Sequence, residues 1–212
     1  MEITGAIFDF DGTLFDSMPV WHGVRERFFA SLGITMTMDD QAFFKGLYSS
    51  EALPLAIKRF GLDLTYEEIL ILFFNYIKKG YLANSVPKND IIDFLEKLKA
   101  KGVKMGIATA SGEPAVIAAL EKYDMLQYFS VICSTYTVGE TKQKPKVYDV
   151  VREILNTDKA TTWVFEDALY AAKTAKASGY PLVGIFDESE KCQQELKELA
   201  DIYIYDYAQI PL

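Results

Sequence analysis

Asp9 and Asp11 stand two residues apart, directly after the apolar run Ala6-Ile7-Phe8 and directly before Gly12-Thr13. Charge in a protein interior is costly unless it is paired or bound to a metal. Two acids at the carboxyl end of a buried strand therefore point to an ion site, and in open α/β sheets ligands bind at that end of the strands. Asp-Gly is also a common turn pair, so this pair alone is equally an acidic exit turn.

Three further segments bear on the choice. Thr109-Ala110-Ser111 follows a second apolar run. A hydroxyl with free backbone N–H groups, Ala110 among them, ahead of a helix makes a cradle for an anion; Ser111 could equally be a plain helix N-cap. Thr141-Lys142-Gln143-Lys144-Pro145 puts lysines just before a helix start. Acids are normally favoured there, so either a bound phosphate or a solvated surface pair accounts for them. Glu166-Asp167 ends another apolar run. Three or four carboxylates meeting at one sheet end need a divalent cation to coexist, and an all-oxygen donor set suits Mg²⁺.

The elements that must position these residues follow from periodicity. Ser17 to Leu32 reads as one helix stopping at Gly33, and Asp39 to Phe44 as a short one ending at Lys45-Gly46. Ser50 can cap a helix through Phe60, with Pro54 near its first turn. Thr65 with Glu68 forms a capping box that opens a long helix to about Lys79. Asn84-Ser85-Val86-Pro87 reads as a linker. The alternation then becomes regular: helix Asp90–Ala100, strand Val103–Thr109, a helix after Ser111-Gly112-Glu113-Pro114, and strand Val131–Ser134. Helix Lys146–Leu155, strand Thr162–Phe165, helix Leu169–Ser178, strand Leu182–Phe186, helix Ser189–Leu199 and strand Ile202–Tyr205 complete it. Strands alternating with helices imply a mostly parallel sheet covered on both faces. The expected fold is α/β, a Rossmann-like doubly wound core (1–15 and 85–212) with an inserted α-helical cap (16–84) above the first strand's carboxyl end.

The chain has 212 residues, half of them apolar, and a net charge of −8. A chain of that length buries roughly 70% of its unfolded surface. No basic stripe is visible, so neither nucleic acid nor an anionic membrane is an expected partner. No apolar run reaches the roughly 18 residues of a spanning helix, and the first strand begins without a basic leader. Cys133 and Cys192 are far apart and expected to be reduced. The reading is a cytoplasmic protein, monomeric or a weak homodimer.

The order Asp9-Phe10-Asp11-Gly12-Thr13, Thr109, Lys142, Glu166-Asp167 resembles the four motifs of the haloacid dehalogenase superfamily, over essentially the whole chain. The helical insert resembles the cap of its β-phosphoglucomutase and phosphoglycolate phosphatase branch. The resemblance implies a Mg²⁺-dependent phosphatase of a small phosphorylated metabolite, working through an aspartyl-phosphate. It implies Asp9 as nucleophile and metal ligand, and Asp11 as acid and base that also gives its backbone carbonyl to the metal. Thr109, Ala110 and Lys142 would hold the phosphoryl group. Asp167 would bind the metal, with Glu166 in contact with the ion or one layer out. Lys45 and Trp21 would face the substrate. Departures are Gln143 for a common Pro, Ala168 for a common Ser, Ser49 where the mutases carry a phosphate-binding Arg, and Trp21 where they carry a His. His22 is expected on the surface, and Phe73, Phe74 and Tyr76 in packing. The alternatives are a β-phosphoglucomutase-type mutase and a non-enzymatic phospho-aspartate switch of the receiver type.

Overall fold

Alternating apolar residues send β1 (Gly5–Phe8) into two cores at once: Ala6 and Phe8 pack on one face of the sheet, Ile7 on the other. That two-sided burial is the mark of a parallel strand covered by helices on both faces. The computed structural model describes residues 2–210. After β1 come β2 (Phe15–Asp16), α1 (Met18–Trp21), α2 (Val24–Ser31), α3 (Met38–Phe44), α4 (Ser49–Phe60), α5 (Tyr66–Asn84) and β3 (Val86–Pro87). Then follow α6 (Ile91–Ala100), β4 (Lys104–Thr109), α7 (Glu113–Lys122), β5 (Val131–Ser134), α8 (Thr135–Val138) and α9 (Lys146–Leu155). The chain closes with β6 (Thr162–Glu166), α10 (Leu169–Ala177), β7 (Leu182–Ile185), α11 (Gln193–Leu199) and β8 (Ile202–Ile204). Six strands form one parallel sheet in the order β5-β4-β1-β6-β7-β8. The order reverses direction around β1, the kind of switch point where such sheets bind ligands.

Register does the positioning. Phe8 pairs with Phe165 of β6 on one side and with Ile107 of β4 on the other. Asp9 and Glu166 therefore leave neighbouring strands at the same height, with Thr109 just beyond on the far side. Among the described residues no helix is long and apolar enough to cross a membrane. Cys133 is buried, Cys192 is exposed, and both are free.

Several expected elements differ. The helix expected over Ser17–Leu32 is two, α1 and α2, because Gly23 takes φ +59, a left-handed value that interrupts the helical ladder. Ser50 is not a cap: α4 starts at Ser49, and Glu51 accepts the N–H of Tyr48 at 2.9 Å. The α5 helix runs on to Asn84 rather than Lys79. Gly80 lets it continue against α1, since a Cβ there would lie 2.6 Å from Val20 Cγ1. The expected linker is instead strand β3, paired antiparallel with β2 into a two-stranded ribbon where the chain leaves and re-enters the sheet. Pro87 is tolerated because the ribbon has only edges. The helix expected from Ser189 begins at Gln193; Ser189 instead gives its N–H and hydroxyl to Asp187 at 3.0 and 2.6 Å.

Candidate active site

The backbone of Asp9 still belongs to the sheet, its N–H donating to Phe165 O at 3.0 Å. Its side chain is the first to leave it. Asp9, Glu166 and Asp167 are all buried and each offers an oxygen within 4.8 Å of the others. Lys142, from the segment before α9, is 2% exposed. Its Nζ stands 2.6 Å from Asp9 Oδ1 and 2.8 Å from Glu166 Oε2. Lys144 points into solvent.

One ammonium against three carboxylates leaves the cluster net negative. Burial first, then Glu166, pushes the Asp9 carboxyl well above the usual range, partly offset by Lys142. Burial, Asp9 and Glu166 do the same to Asp167, partly offset by the Thr13 hydroxyl. Burial alone would lower Lys142, but the carboxylates of Asp9 and Glu166 outweigh it and hold the ammonium well above its ordinary value. Glu166 Oε2 accepts from both Lys142 and Tyr148 Oη, the latter at 3.0 Å. Glu166 Oε1 is buried with no hydrogen-bond partner. A divalent cation answers both problems, the orphaned oxygen and the mutual repulsion. The residues present fit a metal ion bound by oxygen.

The turn after β1 is shaped for this cluster. Gly12 has φ +76, and a Cβ there would lie 2.3 Å from Asp167 Oδ2. Thr13 Oγ1 donates to Asp167 Oδ1 at 2.9 Å. Glycine thus serves both the left-handed turn and the close approach of Asp167.

Asp11 is turned the other way, toward the helical block. Its Oδ1 accepts from Ser17 Oγ at 2.6 Å, Trp21 Nε1 at 2.8 Å and Tyr81 Oη at 2.6 Å. Its Oδ2 accepts from Ser111 Oγ. Tyr81 Oη also lies 2.9 Å from Ser111 Oγ, and the Ser111 N–H donates to Thr109 Oγ1 at 3.0 Å. Three donors crowd Oδ1, whereas Oδ2 takes only Ser111 and keeps an acceptor position open. Burial and the nearby Asp11 charge push the Tyr81 hydroxyl well above its ordinary value, so it is a donor here.

These groups surround a cavity of about 500 Å³ between the sheet and the helical block. Asp9, Asp11, Trp21, Ala110, Lys142, Glu166 and Asp167 line it. Two other sequence-predicted residues do not. Thr109 is fully buried, and its hydroxyl accepts the Ser111 N–H. Lys45 is exposed: Gly46, at φ +79, turns the chain so that Leu47, Tyr48 and Ser49 reach the cavity instead. Ser111 is not a cap, since Gly112 holds the N-cap position of α7 and the Ser111 hydroxyl serves Asp11. Arg25 lines the cavity, but its guanidinium donates to Phe44 O and Leu47 O at 2.6 and 2.8 Å. His22 is exposed, and Phe73 is buried among aromatic rings. A second cavity, of about 620 Å³, lies beside the ribbon against Lys88 and Asp187 and shares none of the motif residues.

Ser17, Tyr81 and Tyr148 are the site residues that sequence reasoning missed. Tyr148 left one signal: it sits in the apolar stripe of α9, and a buried tyrosine must find a partner for its hydroxyl. Nothing in the sequence ties Tyr81 to an acid 70 positions away.

Comparison with known proteins adds to this geometry. A family model described as "Haloacid dehalogenase-like hydrolase" matches residues 6–185. The "Phosphorylated carbohydrates phosphatase" of Thermotoga maritima is 27% identical over 173 residues, covering 82% of this chain and 80% of that protein. The phosphoglycolate phosphatase of Mesorhizobium japonicum is 24% identical over 215 residues, covering 97% and 93%. Among solved structures, CbbY from Rhodobacter sphaeroides in complex with phosphate superposes with a TM-score of 0.81 at 19% identity, covering 98% of this chain and 96% of that one. The β-phosphoglucomutase of Clostridium difficile does so at 0.73 and 18% identity, covering 99% and 94%. These structural likenesses establish the fold.

Proposed function

The chain belongs to the haloacid dehalogenase-like hydrolase family, and from that premise we propose a Mg²⁺-dependent phosphatase of a small phosphorylated metabolite, acting through an aspartyl-phosphate. The observation that carries the reading is the buried Asp9 carboxylate. It is paired with Lys142 at 2.6 Å and opens into the same cavity as a second acid two residues on. Membership in a hydrolase family sets aside the non-enzymatic phospho-switch.

In the first step an oxygen of Asp9 attacks phosphorus, the bond to the leaving oxygen breaks, and Asp11 supplies the proton that oxygen needs. In the second, Asp11 takes a proton from water, which attacks the aspartyl-phosphate and releases inorganic phosphate and free Asp9. Lys142 and the backbone N–H of Ala110 hold the transferring oxygens, and fixed donors of this kind act mainly by stabilising developing charge. Asp9, Asp167, Glu166 and the Asp11 backbone carbonyl are the groups that would hold Mg²⁺, which would neutralise phosphoryl charge. We place the helical block, residues 16–84, as a cap over the cavity, and the protein in the cytoplasm as a monomer or weak homodimer.

Hydrolysis is favoured over mutase chemistry by the cavity wall. A mutase must grip a second phosphate, for which a planar guanidinium is best suited. Ser49 offers a hydroxyl, and Arg25 spends two donors on the carbonyls of Phe44, the last residue of α3, and Leu47.

The test is a panel of phosphorylated metabolites assayed for phosphate release, with and without Mg²⁺, for wild type and Asp9→Asn. Turnover by wild type with Mg²⁺, lost on chelation and in Asp9→Asn, is the expected result. Asp9→Asn activity within tenfold of wild type would overturn the nucleophile assignment. Formation of glucose 6-phosphate from β-glucose 1-phosphate and a trace of the bisphosphate, faster than phosphate release, would establish the mutase instead.

A further inference from the structure

Tyr148 stands outside every role assigned above. It lies in α9, fully buried, and its hydroxyl donates to Glu166 Oε2 at 3.0 Å. The same oxygen accepts Lys142 Nζ at 2.8 Å, while the other, Oε1, has no partner. The last torsion of a glutamate is soft and broad. With one donor the carboxylate can swing; with two donors converging on one oxygen, the identity of the oxygen facing Lys142 is settled. Oε1 is then the oxygen left for the cluster with Asp9 and Asp167. The second donor also matters for Lys142, whose ammonium is shared with Asp9 Oδ1 at 2.6 Å. Part of the negative charge on Glu166 is met by the tyrosine, which leaves more of the ammonium to Asp9 and the phosphoryl group.

We infer that Tyr148 is a positioning residue: its hydroxyl holds Glu166 so that Oε1 is presented to a divalent cation, directly or through one water. It touches neither substrate nor ion. The inference rests on the metal reading of the site. Groups that bond to metal-ligating side chains contribute roughly 10–100-fold to metal affinity.

The experiment titrates Mg²⁺ alone, without substrate, into metal-free protein by calorimetry. Tyr148→Phe keeps the ring and removes only the donor, so affinity should fall roughly 10–100-fold with the melting temperature of the metal-free protein little changed. Tyr180→Phe is the control. Tyr180 is equally buried, its ring centroid is 6.2 Å from that of Tyr148, and its hydroxyl is spent on Asp149 at 2.6 Å. It should bind Mg²⁺ as wild type does. In a Glu166→Ala background Tyr148→Phe should cause no further loss, because residues acting through one another are not additive. Affinity of Tyr148→Phe within twofold of wild type overturns the inference and leaves the phosphatase reading standing. An equal loss in Tyr180→Phe, or a further loss in the Glu166→Ala background, makes the role structural and overturns it as well. Wild type that binds no Mg²⁺ overturns the metal reading itself.

Discussion

Replacing Tyr81 by Phe keeps the ring and removes the hydroxyl, which donates to Asp11 and also meets Ser111 Oγ at 2.9 Å and Trp21 Nε1 at 3.2 Å. The ring is fully buried and stays packed against Phe10 and Trp21. The bond lost to the acid is Tyr81 Oη to Asp11 Oδ1 at 2.6 Å; Ser17, Trp21 and Ser111 still donate. A hydrogen bond to a charged group contributes roughly 1.5–3 kcal/mol. With three donors left, the low end applies, about 1.5 kcal/mol or about tenfold in rate. General acid assistance, on the order of 10²–10⁴-fold, sets the ceiling. The loss should depend on the leaving group. An alkoxide needs the proton that Asp11 supplies, whereas a nitrophenolate departs as a stable anion. Steady-state kcat/KM for Tyr81→Phe should therefore fall about tenfold on an alkyl phosphate and stay within twofold on nitrophenyl phosphate. Equal losses on the two substrates would refute the assignment of Tyr81 as a support for the acid, and would place its effect in folding or binding.

Lys142→Ala should lower kcat on the order of 10²–10³, the scale for removing one preorganised donor, with Lys144→Ala close to wild type in the same phosphate-release assay. Gly12→Ala should be destabilised by about 1–2 kcal/mol for the left-handed backbone alone, and should bind Mg²⁺ more weakly by calorimetry because its Cβ would meet Asp167. Lys88→Met should cost about 3 kcal/mol at neutral pH by urea unfolding, since it strands the buried Asp187 carboxylate; the Lys88–Asp187 pair is 2.6 Å long. Burial alone would raise Asp187, but Lys88 and Ser189 bring it below its ordinary value. A depressed carboxyl stabilises the fold above its unfolded pKa and ceases to as pH falls through the folded one. The gap between wild type and Lys88→Met should thus close below about pH 3.9, the ordinary aspartate value, and a gap that persists at lower pH would refute the pairing.

The acids to which we assign the chemistry stand out in the sequence because each pair follows its own apolar run. Asp9 and Asp11 after Ala6–Phe8, and Glu166 and Asp167 at the end of β6, are strand-end acids whatever the strand order, and parallel strands put such ends on one side of a sheet. Lys142 was legible as a cation in the wrong place for a helix start. Elements with a local stop or cap, such as α3 and α9, were also legible, because an N-cap bond or a left-handed residue acts within a few positions. What was not legible depends on packing. That Asp9 sits beside Glu166 follows from β1 lying between β4 and β6, which the pattern of apolar runs does not encode. Ser111 could not be told from a helix cap until Asp11, 100 residues away, was seen to accept its hydroxyl. Trp21 and Tyr81 reach that same carboxylate only because Gly80 lets α1 approach α5. Lys45 carried the right charge at the right spacing, yet the left-handed turn at Gly46 leaves it in solvent. Periodicity reports which face of an element is buried; the partner that face meets is settled by how the elements pack, and the hydrogen bonds of Asp11 and Glu166 are made at those meetings.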